Sequence, residues 1–280
     1  LIAAERVVFI TYPGHLLTTA ASINHFRTFH NYTQDIAVVI DDINPASTNQ
    51  YWKLAVDMYE SRGCEIYTAS SFPIDQITTG WIRQQIVKLS LDLVFDDQSW
   101  LCVDGDSMIY ADLSSWHVPV RSVYIDDLGV DRAFGRYVND CGLRYFDTVD
   151  WSEPLRTNAV PFRFMSRYTL QQLRNWVTNY TKQDFFDLHR TWFAADRNTI
   201  NQTGRLMTEF ELIENFNRCV LDHTHAIVHY DLIKFGGLWR PTRPSVATYW
   251  GSDRDIADRH FVQHGVSQNE LNRAKLLQSS

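Results

Sequence analysis

Trp100-Leu101-Cys102-Val103-Asp104-Gly105-Asp106 is an apolar run that ends abruptly in two carboxylates flanking a glycine. Four consecutive apolar side chains suit a strand buried on both faces. Two aspartates just past such a strand can share a hard divalent cation, and the intervening glycine lets the backbone approach a ligand closely. A solvated turn also carries Asp-x-Asp, so the place of this one along the chain decides its weight.

Upstream, short β-rich runs alternate with helical periodicity. Strands are predicted over 6–11, 35–41, 64–67 and 99–104. Between them lie three apolar stripes: Leu16, Ala20, Ile23 and Phe26; Trp52, Ala55 and Tyr59; and Ile82, Ile86, Leu89 and Leu93. Each stripe at helical spacing would face a sheet. Strands separated by helices imply right-handed crossovers and a mainly parallel sheet, with its ligand crevice beyond the carboxyl ends of the strands. Thr11-Tyr12-Pro13-Gly14, Asp41-Asp42 and Asp104-Gly105-Asp106 would converge there.

After Asp106 the pattern loosens. Short strands are predicted over 107–110, 118–124 and 226–230, helices over 167–180, 184–195 and after Thr208, and a helical, charged tail over 253–277. Gly236-Gly237 and the segment 241–244 mark a loop before that tail. No linker separates two domains, so we expect one unit over 1–250. Its half 1–110 carries the crevice residues, its half 111–250 completes the site, and a helical tail follows over 251–280.

The 280 residues suffice for a full core, and 45% apolar with 21% charged residues is an ordinary globular balance. No run is long enough to cross a bilayer, and the opening Leu1-Ile2-Ala3-Ala4-Glu5 is too short for a secretory signal. A starting Leu suggests that the natural N-terminus lies upstream. The four cysteines contain no CxxC pair, which disfavours a zinc ribbon or a disulfide framework and makes a reducing, cytoplasmic setting the default. A net charge of −7 weighs against a broad nucleic-acid surface. Nine Trp offer flat faces for sugars or bases, though core packing accounts for most of them.

Val8-Phe9-Ile10-Thr11-Tyr12-Pro13-Gly14, Val38-Val39-Ile40-Asp41-Asp42, Gln85-Ile86-Val87-Lys88-Leu89 and Leu101-Cys102-Val103-Asp104-Gly105-Asp106 resemble, in that order, the successive blocks of GT-A glycosyltransferases. The resemblance spans roughly the first 110 residues and is loose afterwards. It implies an α/β, GT-A-like, Rossmann-type fold: a mainly parallel sheet flanked by helices, with a helical C-terminal region. It also implies transfer of a sugar from a nucleotide-sugar donor, expected to be a UDP-sugar, to a hydroxyl acceptor with Mn2+ or Mg2+.

By that resemblance Thr11, Tyr12 and Pro13 would border the base, and Asp41 or Asp42 would accept from ribose or base. Asp104 and Asp106 would meet ribose and metal. The helix bearing Gln84 and Lys88, four residues apart and opposite the Ile82 stripe, would contact the donor. Lys88 reads equally as a solvated surface lysine. His15 stands where related proteins often carry an acidic residue, which leaves the donor open. A third metal ligand would be a late histidine: His229, His260 or His264.

An inverting enzyme needs a carboxylate to deprotonate the acceptor, and Glu209 and Glu211 are the candidates. Thr208 to Glu211 also has the spacing of a capping box, which accounts for Glu211 without catalysis. His223, His225 and His229 match no standard zinc spacing. Asp126-Asp127 reads as a turn, and Trp239 to Arg243 as an exposed basic loop. The acceptor is open among glycans, lipid-linked glycans, proteins and, less favoured by charge, a hydroxylated DNA base.

Two rival readings remain. Asp104-Gly105-Asp106-Ser107 also resembles the nucleophile motif of haloacid-dehalogenase phosphohydrolases, with Asp104 attacking phosphorus, Asp106 as acid and base, and 251–255 adding metal ligands. That motif belongs on the first strand of its core, whereas three strand-helix units precede Asp104. The other is a nucleotide- or carbohydrate-binding protein without turnover.

Overall fold

The computed structural model describes residues 4–42, 48–74, 80–109, 113, 123–124, 162–195, 209, 212–213, 216, 221, 228–229, 232–234, 246–248 and 254–278. The first half runs β1 (Arg6–Thr11), α1 (Leu16–Phe29), β2 (Ile36–Ile40), α2 (Thr48–Glu60), β3 (Cys64–Thr68), α3 (Gly80–Lys88) and β4 (Ser99–Asp104). There follow β5 (Ser107–Ile109), β6 (Val123–Tyr124), β7 (Phe162–Ser166), α4 (Arg167–Thr181), α5 (Phe185–Ala195), β8 (Val228–His229), β9 (Leu232–Lys234), β10 (Val246–Thr248), α6 (Arg254–Gln263) and α7 (Gln268–Gln278).

The main sheet has the order β3-β2-β1-β4-β7. Its first four strands are parallel and β7 runs antiparallel to β4. β1 and β4 read as unbroken apolar runs because both faces are covered. Val7, Phe9, Leu101 and Val103 enter the core under α1 and α2, while Val8, Ile10, Trp100 and Cys102 enter the core under α3 and α4. After β1 the chain goes to β2 on one side and later returns to β4 on the other. That reversal opens a crevice between the carboxyl ends of β1 and β4, where the register pairs Ile10 with Asp104.

Some expectations shift. β2 stops at Ile40, and the Asp41 N–H bonds the Thr11 carbonyl at 2.9 Å just beyond it. α3 ends at Lys88 because the Ser90 hydroxyl donates to the Ile86 carbonyl at 2.6 Å and a 3-10 turn, Leu91–Leu93, follows. Leu93 is therefore 55% exposed instead of completing the Ile82 stripe. β7 had no counterpart in the sequence reading; its alternation sends Phe162 and Phe164 to one core and Met165 to the other. The strands expected over 107–110, 118–124 and 226–230 survive as β5, β6 and β8, and their remaining residues lie outside the described ones, as do 235–245.

The expected helical tail is two helices joined at Gly265, whose φ of +77° is a left-handed conformation that suits glycine. The Gly265 N–H bonds Val262 and the Val266 N–H bonds Phe261, the paired bonds of a Schellman stop. Ser267 and Glu270 then cap α7 reciprocally: the Ser267 N–H donates to Glu270 Oε2 at 2.8 Å, and the Glu270 N–H donates to Ser267 Oγ at 3.2 Å. Arg62 donates to the same Glu270, at 2.8 and 3.2 Å. Phe261, Val266, Leu271 and Ala274 join the core under α1 and α2.

Candidate active site

β4 delivers Asp104 to the crevice, the chain turns at Gly105, and β5 resumes at Ser107. The turn is held against β1, since the Gly105 N–H donates to the Ile10 carbonyl at 2.9 Å. A β-carbon at position 105 would meet Thr19 Oγ1 at 2.6 Å and Thr11 Cβ and Oγ1 at 2.7 Å. Those two hydroxyls are hydrogen-bonded to each other at 2.7 Å in the interior. The glycine between the aspartates is thus required by close approach to β1 and α1. Asp106 is nearly buried and accepts from Ser107 Oγ at 3.2 Å.

Lys88, at the end of α3, is the electrostatic centre of the site. Its ammonium lies 2.7 Å from Asp104 Oδ1 and 2.6 Å from Glu209 Oε1. The Lys88 and Glu209 side chains are 2% and 0% exposed, whereas Asp104 keeps 28% of its side chain accessible. Burial alone would lower the Lys88 pKa, but the Asp104 and Glu209 charges outweigh it and raise that pKa above its ordinary value. Burial raises both carboxyl pKa values, opposed by Lys88. The Glu209 N–H donates to Gln85 Oε1 at 2.8 Å, which ties its segment to α3. Glu209, Leu212, Ile213 and Phe216 are helical and buried, the spacing of one helix face, as expected after Thr208.

Past β2, Arg83 grips Asp41, with Nε at 2.9 and 3.1 Å and Nη2 at 2.6 Å from its oxygens. A fork of this kind fixes both partners in one plane. Asp42 accepts from the Ser70 N–H at 3.1 Å and the Ser70 hydroxyl at 2.6 Å. At the end of β1, Tyr12 is 41% exposed and its hydroxyl bonds the His15 Nε2. Burial, with a smaller contribution from the Asp106 charge, raises the Tyr12 pKa. Burial lowers the His15 pKa to about 4, so its ring is neutral at pH 7.

Lys88 is therefore no solvated lysine, and the polar side of α3 opposite Ile82 is not turned to solvent. Arg83, Gln85 and Lys88 are all buried, and Gln84 is half-buried. Arg83 was missed from sequence, and Gln85 figured there only as the start of the Gln85 to Leu89 block, with no role given to it. Thr11 is buried under the Gly105 turn. Pro13 opens a 3-10 turn, Pro13–His15, leading into α1.

His264 does not join the two aspartates: its ring packs edge-on against His25 at 5.2 Å, and its carbonyl accepts from Asn24 at 3.0 Å. Among the described residues no three His, Cys, Asp or Glu side chains gather as a metal site. The side chains of Pro13, His229 and His260 and all of Glu211, 125–127, 222–227, 235–245 and 249–253 lie outside the described residues. For a hard cation the described donors are two carboxylates on a turn with no room for a side chain. Oxygen ligands of this kind suit Mg2+ or Mn2+.

No protein-family model matches the sequence, and no curated protein matches it. Solved structures do. An active-site mutant of LgtC aligns over 96% of this chain and 99% of its own, with TM-score 0.50 and 16% identity. The bifunctional glycosyltransferase WbbM aligns over 98% of this chain at TM-score 0.54 and 12% identity, and the chain spans 51% of WbbM. The fold is that of the GT-A glycosyltransferases. In a GT-A frame Asp104 ends the fourth strand in chain order, which does not suit the phosphohydrolase reading with its nucleophile on a first strand. Among the described residues no helix is long and apolar enough to cross a membrane.

Proposed function

We propose that the chain is a metal-dependent glycosyltransferase that moves a sugar from a nucleotide-sugar donor, a UDP-sugar first, to a hydroxyl acceptor. The observation that carries this reading is the Asp104-Gly105-Asp106 turn at the switch point of the sheet, pressed against Thr11 and Thr19. In GT-A folds that crevice takes the nucleotide, and the structurally similar WbbM is named as a bifunctional glycosyltransferase.

Asp104 and Asp106 would hold Mn2+ or Mg2+, which when bound stabilises negative charge on the leaving diphosphate. Lys88 fixes the Asp104 carboxylate through its 2.7 Å contact. Tyr12, exposed beside the aspartates, offers a flat face to the base. Arg83 occupies both Asp41 oxygens, so Asp41 shapes the base end of the crevice through Arg83, while the half-buried Asp42 accepts from Ser70. Any third ligand would come from a side chain outside the described ones, that of His229 among them. Glu211 remains the base candidate if the enzyme inverts configuration, because Glu209 is buried on Lys88.

A glycan is the favoured acceptor, and the net charge of −7 disfavours DNA. Titration calorimetry with nucleotide sugars in Mn2+, followed by a sugar-release assay, tests the reading. Binding with slow sugar release supports a transferase. Binding without release supports a binding protein, and cleavage of simple phosphate esters supports a phosphohydrolase.

A further inference from the structure

Tyr12 follows β1 directly at the crevice and is exposed, yet its ring is held on two sides. A β-carbon at position 14 would lie 2.7 Å from Tyr12 Cε2 and 3.3 Å from Cδ2, so the ring leans on the bare Gly14 backbone. The His15 ring lies 3.9 Å away, tilted by 42°, and its Nε2 bonds the Tyr12 hydroxyl. His15 is itself fixed: its N–H donates to the Tyr12 carbonyl at 2.9 Å, and its carbonyl accepts from the Thr18 hydroxyl at 2.7 Å as α1 begins. The ring is neutral at pH 7, and a neutral imidazole has one nitrogen able to accept the hydroxyl proton.

We propose that His15 is a positioning residue: together with Gly14 it holds the Tyr12 ring as a preformed plate on which the planar base of the donor nucleotide stacks. This rests on the reading of the crevice as a nucleotide site. An exposed side chain ordinarily samples several rotamers, and the cost of ordering it when a ligand arrives is subtracted from affinity. The bond to His15 fixes the tip of the Tyr12 ring and the missing β-carbon of Gly14 gives the ring its place, so Tyr12 is ordered before the base arrives.

Titration calorimetry with UDP and with inorganic pyrophosphate, both in Mn2+, separates the base end of the site from the diphosphate end. His15→Ala is expected to weaken UDP binding about 2–10-fold, the effect of one side chain left to be ordered, and to leave pyrophosphate binding unchanged. His15→Gln, whose amide can bond the same hydroxyl, should recover part of the loss. Gly14→Ala pushes the ring aside with His15 intact and should weaken UDP by a similar factor. Tyr12→Ala removes the plate and should cost about 5–100-fold. In that background His15→Ala should cost nothing further, whereas a merely structural His15 would cost the same again. Should His15→Ala fail to fold by circular dichroism, Tyr12→Phe, which removes the same bond from an exposed ring, carries the comparison with the same expected loss of UDP affinity. Parent-like UDP affinity in these variants, an equal loss for pyrophosphate, or a His15→Ala loss that persists in the Tyr12→Ala background overturns the proposal. An unsubstituted chain that binds UDP no better than pyrophosphate refutes the reading of a base site here, and the proposal with it.

Discussion

Gly105→Ala is a sharp test of how the two aspartates are set. An alanine that fits its backbone usually stabilises a protein by about 0.4–1 kcal/mol through the unfolded chain. Here the added β-carbon would lie 2.6 Å from Thr19 Oγ1 and 2.7 Å from Thr11 Cβ and Oγ1. To reach the 3.4 Å of ordinary contact the closest neighbour must retreat by about 0.8 Å. Thr11 is anchored in the central strand and Thr19 in a buried turn of α1, so neither retreats cheaply. Overpacking of this kind costs about 1–3 kcal/mol. Thermal unfolding followed by circular dichroism should show the melting point falling by about 2–4 °C per kcal/mol, as for domains of this size. Thr19→Ala removes one of the three close atoms, so the double variant should lose less than the sum of the two single losses, by at least about 0.5 kcal/mol. A Gly105→Ala chain as stable as the parent, or more so, would refute the packing account of this turn.

Two further substitutions probe the frame around the site. Arg83→Met leaves the Asp41 carboxylate without its fork in a nearly buried position and should cost about 3–5 kcal/mol in urea unfolding, with less lost in the Arg83→Met, Asp41→Leu pair. Burial works to raise the Glu270 pKa, but hydrogen bonds from Arg62 and Ser267 outweigh it, and the folded value falls below the ordinary 4.5. A depressed carboxyl pKa contributes stability that is present above pH 4.5 and lost as pH falls through the folded value. Arg62→Ala should therefore shrink the difference in unfolding midpoint between pH 6 and pH 3; an unchanged difference would show that Arg62 does not set the Glu270 titration.

The sequence was legible where one local rule decided the structure. β1, β2 and β4 are apolar on both faces, so their runs stand out, and the polar residues ending them mark the crevice without any knowledge of contacts. The place of Asp104, Gly105 and Asp106 at the end of β4 was read in this way. β7 was not, because Arg163 interrupts its apolar pattern and its partner β4 lies some sixty residues earlier in the chain. α3 was left between a donor-contacting and a solvated Lys88 for the opposite reason. Its polar residues sit at positions a surface helix would expose, and only the tertiary fold brings Asp41 to Arg83 and Asp104 to Lys88. Glu209 was chosen as acidic and near a helix start; that it meets Lys88 across more than a hundred residues could not be read from spacing.

Donor turnover shows whether Asp104-Gly105-Asp106 holds the cation of a sugar transferase. Release of free sugar from a panel of nucleotide sugars is measured in Mn2+ for the unsubstituted chain and for Asp106→Ala, with circular dichroism to show that both are folded. Slow, chelator-sensitive release from at least one donor is expected for the unsubstituted chain, and none for Asp106→Ala. Full release by a folded Asp106→Ala chain would contradict it.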